Sequence, residues 1–234
     1  MGFTRFNCAA LAAATVLGVA ASSQAALILD LQGGATVVAD NGPGDSDLTI
    51  GRIINTSVTA GFGVSVTVAQ SNSPGDPSAG ILQVQSLDIQ NMNPNPATLV
   101  LRVSDTGFTM PGGPLMRLDS SVGGTFTLGA VGDLVTFQSF ADPANGQPAG
   151  PVSTPAMLFT RATNNVTESF SGANSANWAR GGGPYSLTNI TTVMLSAGGQ
   201  MNVSGTTTAV EVPEPQLLSA LGLGVFGLLR RGRK

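Results

Sequence analysis

The chain predicts an all-β fold, an antiparallel two-sheet sandwich that is jelly-roll-like, and three observations predict it. Short runs of alternating apolar and polar residues recur along the body, the period of a half-buried strand. Turn clusters break these runs at regular intervals: Asn41-Gly42-Pro43-Gly44, Ser73-Pro74-Gly75-Asp76-Pro77, Asn93-Pro94-Asn95-Pro96 and Pro111-Gly112-Gly113-Pro114. Proline cannot donate into a ladder, so these clusters stop strands. The third observation is composition. The 234 residues include 31 Gly and only 10% charged residues, and Thr, Val, Ser and Asn fill the body, which favours strands and turns. About a dozen short strands with regular breaks describe a sandwich.

The expected strands follow in order. They are Leu27–Leu31, Thr36–Ala39, Leu48–Ile54, a run around Phe62, Val64, Val66 and Val68, Leu82–Ile89 and Thr98–Val103. Then come Gly124–Leu128, Leu134–Phe140, Ala156–Arg161, Val166–Phe170, Tyr185–Leu195 and Met201–Val210. No helix of normal length is expected in this body, residues 26–211. With 42% hydrophobic residues a core can be buried, and a body of this size can hold itself together by apolar burial without a bridge.

Charge and missing residue types exclude several functions. Histidine is absent and Cys8 is the sole cysteine. The body past residue 25 therefore has no disulfide, no thiolate or imidazole metal ligand and no Ser-His or Cys-His nucleophile pair. Five arginines face ten aspartates and two glutamates between Leu27 and Val212, a net charge of −7. No basic cluster forms the footprint that nucleic acid needs, so no nucleic-acid partner is expected.

Residues 1–25 have the three-part layout of a secretory signal peptide, predicted as a helix. Arg5 supplies the positive start, Cys8–Ala21 the apolar run, and Ser23-Gln24-Ala25 the small residues before a cut after Ala25. The run is shorter than the about 20 residues of a spanning helix. Arg5-Phe6-Asn7 before Cys8 does not suit a lipoprotein site. The expected partners of this segment are the secretion translocon and signal peptidase.

Three patterns in the body are candidate sites. Asp40, Asp45 and Asp47 lie in a glycine-rich loop that offers oxygen ligands to calcium; the plain alternative is a polar turn. Trp178 and Tyr185 flank Arg180 and Gly181-Gly182-Gly183, so an exposed aromatic there would stack on a sugar; the alternative is packing in the core. Asp105-Thr106-Gly107 matches the tripeptide around an aspartic-protease carboxylate. That chemistry needs two carboxylates sharing a proton, and no second copy exists.

Residues 212–234 carry the strongest signal. Proline at 213 and 215 keeps Val212 and Glu214 out of the helical region and removes two backbone donors. The segment Val212-Pro213-Glu214-Pro215 is therefore expected to be extended and open to a processing enzyme. An apolar run from Leu217 to Leu229 follows, then Arg230, Arg231, Arg233 and Lys234. As a helix the run is shorter than the about 30 Å hydrocarbon core, a transmembrane type of plug with a basic stop on the cytoplasmic side.

This combination resembles the PEP-CTERM sorting signal of Gram-negative bacteria. The resemblance implies that a membrane-embedded exosortase recognises Pro213-Glu214-Pro215 and removes the tail. It also implies a transient inner-membrane anchor, then export to the outer surface or extracellular matrix, commonly beside exopolysaccharide and biofilm production. The body, with Ser104-Asp105-Thr106-Gly107-Phe108-Thr109 and Pro184-Tyr185-Ser186-Leu187-Thr188, is similar to other uncharacterised substrates of that system.

The expectation is an exported surface or matrix protein with a structural or adhesive role and no enzymatic activity. The alternative is a polysaccharide- or calcium-binding sandwich. Exposed Trp178 and Tyr185, or convergent Asp40, Asp45 and Asp47, would favour the alternative.

Overall fold

The computed structural model describes residues 26–31 and 36–213. The leader, Glu214, Pro215 and residues 216–234 lie outside the described residues. Among the described residues the chain forms thirteen strands and no helix.

The strands are β1 Ile28–Leu31, β2 Thr36–Ala39, β3 Arg52–Thr59, β4 Phe62–Ser71, β5 Gly80–Asn91, β6 Ala97–Phe108 and β7 Leu115–Leu128. They continue with β8 Leu134–Asp142, β9 Val152–Ser153, β10 Met157–Thr160, β11 Glu168–Ala179, β12 Tyr185–Leu195 and β13 Gln200–Glu211. Sheet A has the order β10-β8-β12-β6-β1-β2, with β9 on β8; sheet B has the order β11-β7-β13-β5-β4-β3. Every recorded pairing is antiparallel. From β5 to β8 the chain crosses from one sheet to the other at each step, and it does so again from β10 to β13. The expected antiparallel two-sheet architecture is present.

Alternation decides which side of each strand is buried. Leu99, Leu101 and Val103 of β6 face inward, as do Val64 and Val66 of β4, Leu87 and Ile89 of β5 and Met201 and Val203 of β13. They join one core cluster with Phe62, Phe108, Phe126 and Phe137. Each such side chain contributes about 1.5–3 kcal/mol on full burial.

Three elements depart from the expected pattern. Alternation marks Leu48–Ile54 as a strand, but β3 begins at Arg52. Asp47 Oδ1 accepts the Thr49 N–H at 2.9 Å, and Gly51 takes φ +80°, so residues 47–51 turn. Leu48 and Ile50 are consequently 85% and 79% exposed. Strand β7 starts nine residues before the expected Gly124, and β11 runs nine residues past Phe170 to Ala179. The Ser, Gly, Ala and Asn of β11 have weak strand propensity. An unbroken register from Glu168↔Phe126 to Ala179↔Leu115 holds them on β7.

The core also holds polar groups. Ser139 Oγ donates to Ser120 Oγ at 2.9 Å and lies 2.6 Å from Thr207 Oγ1, a hydroxyl cluster linking the sheets. Asn189 on β12 is fully buried, and neither its Oδ1 nor its Nδ2 has a hydrogen-bond partner. An unsatisfied buried amide costs about 1–3 kcal/mol. Asn189→Leu, similar in volume, is therefore expected to raise the unfolding free energy by about 1–3 kcal/mol in urea titration. A loss of stability would mean that the amide is satisfied in solution.

Candidate ligand-binding face

Strand alternation that sends apolar residues inward on sheet B sends small polar residues outward. The registers align these outward residues into rows that cross all six strands. One row reads Thr56–Ser65–Asp88–Asn202–Thr125–Ser169, from β3 to β11. A second reads Arg52–Gln70–Gln83–Thr206–Ser121–Ala173. No aromatic side chain interrupts either row.

Hydrogen bonds along the rows orient the side chains. Asn202 Nδ2 donates to Asp88 Oδ1 at 2.8 Å, and Gln70 Nε2 donates to Gln83 Oε1 at 2.9 Å. The Thr125 and Ser169 hydroxyls are 3.4 Å apart. Arg117 makes a two-pronged pair with Asp119 at 2.8 and 2.9 Å.

Open grooves of about 650, 330, 500 and 430 Å³ lie along this face. The first runs over β3, β4, β5 and β13, between Val58, Gln90 and Gln200. Its floor includes Gly63, where an added Cβ would meet only the Met92 sulfur, at 3.3 Å. The arrangement offers many hydroxyl and amide donors and acceptors, little charge and a shallow trough. It suits a long neutral ligand rich in hydroxyls.

The sites expected from sequence fall elsewhere. Trp178 and Tyr185 are 5% and 0% exposed, which corrects the expected aromatic platform for a glycan. Tyr185 stacks on Phe108 at 5.4 Å, takes the edge of Trp178 at 5.4 Å, and donates its hydroxyl to Met110 O at 2.7 Å. Burial raises the Tyr185 pKa, and the Arg180 charge partly opposes the rise. Arg180 lies 5.3 Å over the ring and donates to the carbonyls of Pro111, Thr109 and Gly183. This group ties the 109–114 loop to the 180–184 loop.

The calcium loop is corrected as well. Asp40 accepts from Asn41 Nδ2 at 2.9 Å and from Gly51 N at 2.7 Å. Asp45 accepts from the N–H groups of Asn41, Asp47 and Ile54 at 2.9–3.0 Å. Asp47 binds Thr49 N and Arg52 Nε. Each carboxylate thus serves the loop itself. Bonds from Thr49, helped by the Arg52 charge, hold the Asp47 pKa below its ordinary value. Among the described residues no group of acidic side chains converges on a metal position.

Val212 and Pro213 of the sorting segment are described. Strand β13 ends at Glu211, and the Val212 N–H makes one last bond to Leu115 O at 3.0 Å. Glu214, Pro215 and the basic residues Arg230, Arg231, Arg233 and Lys234 lie outside the described residues. Among those described no helix is long and apolar enough to cross a membrane.

No protein-family model matches this chain, and no curated protein matches it. Among solved structures it is similar to the carbohydrate-binding module TmCBM61, solved with β-1,4-galactotriose. That similarity has 10% identity, a TM-score of 0.31, and coverage of 66% of this chain and 91% of that one. It is similar to the mannan-recognising module TmCBM27 at 10% identity and a TM-score of 0.30, covering 65% and 90%. It also matches the enzymatically active domain of a bacteriophage CBA120 tailspike protein at 10% identity and a TM-score of 0.25, covering 62% and 18%. These scores are too low to transfer a ligand or an activity, so the site is read from its own residues.

Proposed function

We propose that this chain is an exported surface or matrix protein whose jelly-roll-like sandwich holds extracellular polysaccharide on the outer face of sheet B. The role is structural or adhesive, and exosortase recognises the segment 212–215 and removes the tail. The observation that carries the polysaccharide reading is the six-strand row Thr56–Ser65–Asp88–Asn202–Thr125–Ser169. Neighbouring strands lie about 4.8 Å apart, close to the rise of one sugar in an extended chain. A polysaccharide laid across the strands therefore meets a new hydroxyl or amide at about each residue. Such contacts are individually weak and partly water-mediated, which suits adhesion summed over a long chain.

Binding without turnover is part of this reading. Glycan hydrolysis in most families uses two carboxyls flanking one bond, one as acid and one as base or nucleophile. On this face Asp88 is bonded to Asn202 and Asp119 to Arg117.

The experiment is a titration of the processed, exported protein with the exopolysaccharide of its own cell. Asp88→Ala with Asn202→Ala is expected to weaken binding about tenfold, since each lost hydrogen bond is worth about 0.5–1.5 kcal/mol. Leu158→Ser, at an exposed position on sheet A, is expected to leave binding unchanged. Unaltered affinity in the double variant would move the contact off this face.

A further inference from the structure

Asp105 is a buried acid with no counter-charge. It continues the inward series Leu99, Leu101, Val103 on β6 and is 0% exposed. Its Oδ1 accepts the Thr106 N–H at 2.7 Å, while Oδ2 is buried with no hydrogen-bond partner. A buried carboxylate without a counter-charge is strongly unfavourable; the Ser71 hydroxyl and the Ala26 N–H act on it but bring no charge.

The residue beside it is the first one after the expected leader cut. β1 pairs with β6 through Ile28↔Ser104. Continuing that antiparallel register puts Ala26 alongside Thr106, next to Asp105. Ala26 is itself exposed and is held in place on its carbonyl side. Gln147 Nε2 donates to Ala26 O at 2.9 Å, and the next carbonyl, Leu27 O, accepts the Asp40 N–H at 3.0 Å.

Resting on the export reading above, we propose that leader removal after Ala25 converts the Ala26 nitrogen into an ammonium that pairs with Asp105 and locks the sandwich. Hydrolysis of the Ala25–Ala26 amide consumes one water. It leaves a carboxylate on Ala25 and an amine on Ala26, which takes up a proton at neutral pH because an α-amine titrates near about 7.7–8.0. The leader departs with its own carboxylate, and the buried acid gains its counter-charge.

The uncut chain carries the penalty. Burial pushes the Asp105 carboxyl up from 3.8 to about 6, against the pull of the Ser71 hydroxyl and the Thr106 and Ala26 N–H groups. Asp40 is the charged neighbour that adds to the rise. The acids on the flanking segments have partners of their own: Asp30 with Arg102 at 2.9 Å, Asp76 with Ser78 and Ala79, Asp142 with Ala144 and Gly146. β12 supplies Leu187 opposite Asp105. A folded-state value above the unfolded one favours folding below pH 3.8, and that advantage is lost as pH rises through about 6. The cut chain is expected to lose less stability across this window, because the ammonium draws the carboxyl value back down.

The test uses the exported protein and begins with its N-terminal mass. An N-terminus other than Ala26 overturns the cut, and with it the pairing. With Ala26 confirmed, the amine is acetylated in the folded state; Lys234 is the sole lysine, so the α-amine is the target in the tail-processed form. Acetylation is expected to be slowed in the native protein, with an amine pKa above the ordinary range, and fast in Asp105→Asn. Once acetylated, the native sequence is expected to lose about tenfold to a hundredfold in its folding equilibrium constant at pH 7, the range for a hydrogen bond between charged groups. Asp105→Asn is expected to lose almost nothing on acetylation. An ordinary amine pKa in the native sequence overturns the ion pair alone, even if Asp105→Asn does not fold. Equal acetylation rates in the two proteins have the same consequence.

Discussion

Replacing Glu214 with Ala is expected to leave the tail uncut and the protein held at the inner membrane in a host that has exosortase. The effect is expected to be all-or-none because, in the proposed export route, recognition and release act on one short segment. Strand β13 ends at Glu211, and Val212 spends its N–H on Leu115 O. Pro213 has no donor to continue the ladder. Glu214 is the next residue in sequence after the ladder's last bond and the proline that ends it. It is also the single charge between two proline rings, so alanine removes the one group that a polar pocket would pair. Mass analysis and membrane fractionation of both forms check this. Equal release of the Glu214→Ala form would remove the recognition claim.

The fold is legible in the sequence wherever a local pattern decides it. β2 and β12 occupy the residues that alternation marks, Thr36–Ala39 and Tyr185–Leu195. The Asn41–Gly44, Ser73–Pro77, Asn93–Pro96 and Pro111–Pro114 clusters all fall between strands. Local pattern fails where a distant partner decides. Nothing in Ser-Gly-Ala-Asn-Ser-Ala-Asn announces a strand, yet twelve paired residues with β7 make β11 one. Leu48 and Ile50 look like strand residues until the Asp47 turn exposes them.

The site is less legible, for a related reason. Single residues such as Trp178 attract notice because they are rare, but burial depends on what folds over them. Tyr185 lies under Arg180, which ties down the neighbouring loops, and Trp178 is buried in a T-shaped contact with Tyr185. The acidic loop has the composition of a ligand set, whereas its oxygens turn toward its own N–H groups. The polar row on sheet B has the opposite character. Thr56, Ser65, Asp88, Asn202, Thr125 and Ser169 are each unremarkable and lie far apart in the chain. Only the register brings them into line.

The two processing points belong to one end of the sandwich. Ala26 sits beside Thr106 near the end of β6, and Glu211 pairs with Met116 near the start of β7. The 109–114 loop joins those strands. In the proposed export route both leader and tail engage the inner membrane, and this end would then face the bilayer. The rows on sheet B run across the strands and stay clear of it, which leaves the proposed polysaccharide face open before and after release.

Phe137→Ala is expected to lower the unfolding free energy by about 3–5 kcal/mol, the range for removing a buried aromatic ring. Phe137 on β8 is 1% exposed and reaches across to sheet B at Gly205 of β13. A Cβ at Gly205 would stand 2.3 Å from Phe137 Cε2 and 2.5 Å from Cζ, closer than atoms pack. The pair is one large residue filling the space left by one absent side chain. Gly205→Ala alone is therefore expected to cost about 1–3 kcal/mol through overpacking. Phe137→Leu shortens the ring side of the contact, so the double variant is expected to be more stable than the sum of the two single losses allows. Urea unfolding of the four proteins measures that coupling. Strict additivity would show that the ring does not rest on Gly205, because only contacting residues couple in this way.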